Sequence, residues 1–277
     1  MNSNTFARLY SIFSTKRWHD KETHEIVFTN LCHLLGNLND DQQNFLLDLI
    51  ERYTWLSFSE YQSKLIQIFN NIPSGEIDTL KKIILFPIMN PNDEDKTKSG
   101  HGMLLLLRGL IGFLTKYSHL KFKEMEAFED LEHPTFNLAT NEQIYLLDDF
   151  LGSGDTIKST IDKILTNPNI TIDKIKVITI ASHKQAINYM DGIGIQYYTD
   201  IITAKGITEY YTTPELEEKI LLMNEIEKLL PTKKYNFGYG KSEGLITLYR
   251  TPNNTFPIFW HDYEKKQQKF KAPFPRY

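Results

Sequence analysis

The chain has 277 residues, of which 41% are hydrophobic and 24% charged, and its 31 basic and 35 acidic side chains give a net charge of −4. That length buries a full core as one large domain or two small ones, and the charge balance excludes a global pull toward nucleic acid or an anionic membrane. With Cys32 as the single cysteine, an intrachain disulfide and a cysteine-based metal cluster are excluded as well.

The N-terminal residues 1–18 carry a short apolar run. They lack the long uncharged stretch and small-residue cleavage site of a leader. No later stretch approaches the ~18 apolar residues of a membrane span, so the expected location is cytoplasmic. Residues 22–69 are predicted helical. Ile26, Leu31, Leu34 and Leu35 recur at helical spacing, then Phe45, Leu46, Leu49 and Ile50, then Tyr61, Leu65, Ile66 and Phe69. Asn39-Asp40-Asp41 offers a cap between the first two helices, and Ile72-Pro73-Ser74-Gly75 breaks the pattern.

From Lys82 the texture changes to strand–helix alternation. Residues 83–88 form an apolar run of buried-strand type, with Pro87 suited to its edge or end. A polar loop at 90–100 and an apolar helix at about 102–117 follow. Residues 120–140 offer Lys121, Lys123, Glu124, Glu126 and Glu129 in no assignable pattern, and read as a solvated surface segment. Residues 144–147 are a second buried strand, followed by a glycine-rich turn and a helix over 156–165. A strand at 175–181, a short helix at 183–190 and a strand at 195–198 complete the series. This order predicts an α/β fold on a parallel sheet with right-handed crossovers. The aromatic- and proline-rich residues 235–277 suit a cap over the sheet.

The chemistry concentrates at residues 144–156. A buried strand, Ile144-Tyr145-Leu146-Leu147, delivers two adjacent carboxylates, Asp148 and Asp149. Phe150 and Leu151 anchor the turn. Gly152-Ser153-Gly154 lets backbone pass close to a ligand, and Asp155-Thr156 opens a helix. Ligands of open parallel sheets bind outside the carboxyl ends of the strands. A loop of small residues feeding a helix N-terminus presents N–H groups to an anion, so it suits a phosphate. The carboxylates would repel a phosphate and suit sugar hydroxyls, directly or through a hydrated Mg²⁺. His19, His24, His33 and His183 have no metal-ligand spacing, and no zinc motif, Walker loop, nucleophile elbow or dinucleotide fingerprint is present.

Position by position, residues 144–156 resemble the 5-phosphoribosyl 1-pyrophosphate motif of type I phosphoribosyltransferases. The resemblance extends over residues 82–199 in the order of elements. It implies a phosphoribosyltransferase-like domain over 76–277 with a C-terminal hood at 200–277, preceded by a helical domain over 1–75. It implies that Asp148 and Asp149 contact the ribose 2- and 3-hydroxyls, with Mg²⁺ held there through water, and that Gly152, Ser153, Gly154, Asp155 and Thr156 cradle the 5-phosphate. The family's pyrophosphate-gripping loop corresponds to Lys96-Thr97-Lys98-Ser99-Gly100-His101, whose Lys98, Ser99 and Gly100 are candidate donors to the leaving group. At Gly152, oxopurine-salvage members often carry an aspartate that acts on the base, and its absence argues against that chemistry.

Residues 249–260, with Phe237-Gly238-Tyr239-Gly240 before them, resemble the tail of phosphoribosyltransferase-like proteins of bacterial conflict or defence systems. Asn253 and Asn254 are the acceptor-pocket candidates there. The implied activity is a pentosyl transfer to an acceptor the sequence does not identify. The rival is a non-catalytic sensor of ribose phosphates that regulates a partner, for which the N-terminal helical domain suits a protein-binding role.

Overall fold

Residues 1–18, read as a short apolar run, contain the helix α1 (Ser3–Thr15), and the helical periods of residues 22–69 form α2 (His24–Gly36), α3 (Asp40–Arg52) and, after a short strand β1 (Thr54–Trp55), α4 (Phe58–Asn71). This is the computed structural model of the chain, and it describes residues 1–93 and 98–276. Asn39 caps α3 as the sequence indicates. Its side chain accepts from the Gln42 N–H, and the Gln42 side chain accepts from the Asn39 N–H, at 2.9 and 3.1 Å. The short α5 (Ser74–Ile77) then leads into the sheet.

Strand and helix alternate from there: β2 (Lys82–Pro87), α6 (Ser99–Leu110), β3 (Lys121–Glu124), α7 (Phe128–Glu132), β4 (Glu142–Leu151), α8 (Asp155–Ile164), β5 (Ile175–His183), α9 (Lys184–Gly192) and β6 (Gln196–Thr203). These strands make one sheet in the order β3-β2-β4-β5-β6, with β2 parallel to β3 and β4, and β4 parallel to β5. The α/β fold on a parallel sheet is therefore as the alternation indicates. Both faces are covered, which is why its strands read as unbroken apolar runs. Ile144 and Leu146 of β4 pack with Ile157, Ile161 and Ile164 of α8 and Met190 of α9. The intervening Tyr145 meets Phe69 of α4 on the opposite side.

Residues 120–140 differ from the expected solvated segment. They supply the edge strand β3 and the helix α7, whose Phe128 and Leu131 are buried while Lys121, Lys123, Glu126 and Glu129 stay exposed. An edge strand with charges on its open side does not show an apolar run, so its sequence signal is faint.

After β6 come α10 (Glu215–Glu227), β7 (Ile246–Thr247), β8 (Tyr263–Lys265) and β9 (Gln268–Phe270). The chain divides into two compact units, residues 59–202 around the sheet and residues 1–58 with 203–277. Residues 59–75, grouped by sequence with the N-terminal helices, thus pack with the sheet. In the other unit β1 pairs with β7, and Tyr53 stacks on Phe274 and meets Phe259 at a tilt within the core that the helices share.

Candidate functional site

The chain runs from β2 to β3 on one side of β2 and then returns to place β4, β5 and β6 on the other. The winding therefore reverses between β2 and β4, and ligands of open α/β sheets bind at such a reversal, beyond the carboxyl ends of the strands. Here the two strands end at different heights. The last β2–β4 pair is Pro87 with Leu147, whereas β4 continues beside β5 through Asp148 with Thr179 and on to Leu151 with Ser182. Asp148 and Asp149 are the first residues past the end of β2. The sequence reading ended the strand at Leu147, because two carboxylates look like a loop. The extension exists because β5 still supplies backbone partners.

Both carboxyls are buried, at 7% and 9% exposure. Burial, followed by the charge of Asp149, holds the Asp148 carboxyl well above the ordinary carboxylate range. Burial raises Asp149 too, while hydrogen bonds from Tyr61 and Ser99 oppose the rise. Ser99 Oγ donates to Asp148 Oδ1 at 2.5 Å, and the Asp149 N–H donates to the same oxygen at 2.9 Å. The Tyr61 hydroxyl donates to Asp149 Oδ2 at 2.8 Å. Two neighbouring buried acids, met by three donors, are poised to take hydroxyls or a cation.

Ser99 reaches this position because α6 starts earlier than its apolar period suggests. The expected helix began at Gly102, yet Ser99 and Gly100 already form its first turn, with Lys98 as the N-cap in extended conformation. A Cβ at Gly100 would lie 2.7 Å from the Leu147 carbonyl oxygen and 2.9 Å from Pro87 Cβ. Only glycine lets the helix start settle on the ends of β2 and β4. Lys98 does not turn to the acid pair: its Nζ is 2.9 Å from Asp93 Oδ2. Lys96 and Thr97 lie outside the described residues.

Gly154 is the N-cap of α8, with φ of 93° in the left-handed region that favours glycine. The first helical bond of α8 runs from the Lys158 N–H to the Gly154 carbonyl. The amides before it are those a helix leaves to caps and anions. Ser153 Oγ donates to Asp155 Oδ2 at 2.8 Å, so Asp155 folds back on its own turn. Thr160 of α8 donates to the Met89 carbonyl at 2.8 Å and accepts from the Met89 N–H at 3.2 Å. This staples the helix to the segment leaving β2. Asp148, Asp149, Ser99 and the loop of Gly152, Ser153, Gly154, Asp155 and Thr156 therefore gather at one end of the sheet.

Asn253 and Asn254 belong to the other compact unit. The Asn253 carbonyl accepts from the Tyr239 N–H at 2.8 Å. Asn254 is buried, and its amide donates to Ser242 Oγ at 3.2 Å. Its carbonyl accepts from Ser242 Oγ and from the Gly244 N–H at 2.8 and 2.9 Å. These contacts close a turn packed so tightly that a Cβ at Gly238 would meet the Asn254 carbonyl oxygen at 2.1 Å.

Sequence reasoning missed Tyr61, which counts as one more apolar position in a helical stripe. The available signal is that a buried tyrosine hydroxyl needs a partner, but spacing does not name a partner 88 residues away. For a metal, the described residues contain no group of three or more His, Cys, Asp or Glu that could hold an ion. Two carboxylates do fit Mg²⁺, which keeps several waters and shares its remaining sites with substrate oxygens. Among the described residues no helix is long and apolar enough to cross a membrane.

The model of the PRTase-CE family matches residues 33–276. No curated protein matches. Among solved structures, the crystal structure of orotate phosphoribosyltransferase from Aeropyrum pernix is similar at 13% identity, covering 58% of this chain and 76% of that one with a TM-score of 0.31.

Proposed function

The chain belongs to the PRTase-CE family, and from that membership we propose that it binds 5-phosphoribosyl 1-pyrophosphate or a related ribose phosphate and transfers the phosphoribosyl group to an acceptor, releasing pyrophosphate. The observation that carries this reading is the crevice past the end of β2. It joins the buried Asp148-Asp149 pair to a left-handed glycine turn and a helix N-terminus. In this reading the two carboxylates take the ribose 2- and 3-hydroxyls. Residues 152–156 hold the 5-phosphate, and the first turn of α6 with Lys98, Ser99 and Gly100 faces the leaving group.

The reaction breaks the bond from C1 to the pyrophosphate oxygen, and the electron pair leaves on pyrophosphate. A lone pair of the acceptor forms the new bond at C1, and the acceptor's proton is released. Positive charge grows on the sugar as the bond breaks, so Asp148 and Asp149 favour that state electrostatically while fixing the ring through its hydroxyls. Backbone amides at the two helix starts hold the phosphates in place. Mg²⁺, held by Asp148 and Asp149 through water, would supply charge neutralisation on the pyrophosphate when bound. The acceptor pocket at Asn253 and Asn254, a protein partner for the N-terminal helices, and a cytoplasmic location complete the proposal. A role as a bacterial conflict effector rests on the resemblance of residues 249–260.

One observation favours a second reading, that of a sensor: the ammonium of Lys98 is paired with Asp93, and a receptor for ribose phosphates has no need of a free cation at the leaving group. Titration calorimetry with 5-phosphoribosyl 1-pyrophosphate, with and without Mg²⁺, tests binding. A screen for pyrophosphate release against candidate acceptors then tests transfer. Tight binding without release under any acceptor or water replaces the enzyme by the sensor, and absence of binding removes both.

A further inference from the structure

The Asp148-Asp149 pair is braced from an element outside the motif. Tyr61 lies in the first turns of α4, is 2% exposed, and donates its hydroxyl to Asp149 Oδ2 at 2.8 Å. A carboxyl is joined to its side chain by a torsion with broad, roughly two-fold preference. Backbone geometry alone therefore does not fix where its oxygens point. Asp148 is fixed by the next residue's own N–H and by Ser99 Oγ at the start of α6, which both bond to its Oδ1. Asp149 takes hydrogen bonds from Tyr61 on α4 and from Ser99 on α6, and of these two donors Ser99 also serves Asp148 while Tyr61 arrives on a helix of its own. A phenol on a short, ring-stiffened side chain is a precise brace, with only two side-chain torsions to settle. Around it, Leu65, Ile68 and Phe69 continue the buried stripe of α4.

We infer that Tyr61 is a positioning residue that orients Asp149 toward one hydroxyl of a ribose phosphate, and so sets the preference for ribose over deoxyribose ligands. The inference rests on the ribose-phosphate reading of the site. A carboxylate whose free oxygen is aimed at a hydroxyl gains a charged hydrogen bond from that hydroxyl and is left unpaired when the hydroxyl is missing. A carboxylate that rotates freely gains less from the hydroxyl and loses less without it. Tyr61 never touches the ligand in this scheme, and its influence passes only through Asp149.

The test is titration calorimetry of wild type and Tyr61→Phe with ribose 5-phosphate, 2-deoxyribose 5-phosphate, 3-deoxyribose 5-phosphate and inorganic phosphate. Phenylalanine keeps the ring and its packing and removes only the hydroxyl. The expected result is a loss of about tenfold in affinity for ribose 5-phosphate. Inorganic phosphate and one of the two deoxy ligands should stay within about twofold, which is within ordinary mutational scatter. The penalty for lacking that one hydroxyl would then shrink in the variant. Equal losses for all four ligands would reduce Tyr61 to a structural role and overturn the inference, as would an unchanged profile. The two levels separate cleanly. A wild type that binds inorganic phosphate as tightly as ribose 5-phosphate sinks the ribose reading and the inference with it. A wild type that prefers ribose, matched by a Tyr61→Phe that keeps the full preference, sinks only the inference.

Discussion

Two carboxyls side by side in a place closed to water are unfavourable unless a ligand takes their charge. Their presence at the end of β4 is thus itself a functional signal. Replacing both, Asp148→Asn with Asp149→Asn, should leave the fold intact by circular dichroism. It should weaken ribose-phosphate binding by about 2–3 kcal/mol, the scale of lost charged hydrogen bonds; unchanged affinity in calorimetry would remove the pair from the site. Lys98 tests the leaving-group role. If its cation exchanges Asp93 for pyrophosphate as the bond breaks, Lys98→Ala should slow pyrophosphate release ~10²–10³-fold while ribose 5-phosphate titrates as in wild type. A fully active variant would place the leaving-group donors elsewhere. Glu227, at the end of α10, is a buried acid outside the proposed site. Its carboxyl accepts from the Phe237 N–H at 3.0 and 3.2 Å, yet burial outweighs that bond and the attraction of Lys241 and lifts it from 4.5 to about 7. A raised carboxyl favours the folded state at acid pH and loses that advantage as pH climbs from about 4.5 through about 7. At about 1.4 kcal/mol per pH unit, the penalty above pH 7 is on the order of 3 kcal/mol. Glu227→Gln should therefore raise the melting temperature at pH 8 and change it little at pH 5. An equal effect at both values would show that ionisation is not the cause.

At the level of elements, the first turn of α6 depends on one missing methyl group. Gly100→Ala brings a carbon to 2.7 Å from the Leu147 carbonyl, a clash with backbone that cannot swing aside. Overpacking of this kind costs about 1–3 kcal/mol. It should also push Ser99 off Asp148, so both the melting temperature and ribose-phosphate affinity should fall. A variant with wild-type values for both would show that the helix start can move freely. The motif strand, its glycine turn and the helix after it were legible because each has a local signature: an apolar run, a flexible pair, a change of period. The capped start of α3 was legible for the same reason. What escaped depends on contacts distant in sequence. The extra length of β4 comes from β5, the early start of α6 from the fit of Gly100 against Leu147, and the bond of Tyr61 from an acid on another element. Strand β3 escaped because an exposed edge carries no hydrophobic run.

For the whole molecule, a ligand that binds only the folded state stabilises it by about 2.7 kcal/mol at one hundred times its dissociation constant. Adding 5-phosphoribosyl 1-pyrophosphate should raise the melting temperature. Hydrogen exchange should slow at the end of β4 and the start of α8, both within residues 59–202. Protection confined to the other unit would contradict the proposed site. The interleaving of the two units also matters during synthesis, when domains usually fold as units in the order they emerge. Residues 1–58 are made before the sheet, and 203–277, which complete their unit, after it. The sheet between them has every strand in hand much earlier. Until the final segment arrives, the apolar stripes of the first helices, with Leu9, Phe13, Leu31 and Leu35, lack the partners Phe256, Phe259 and Phe274 with which they share a core. The nascent chain therefore carries uncovered apolar stripes for as long as the sheet takes to be made. A ribosome stalled late in the message would release a finished sheet tethered to helices still searching for cover.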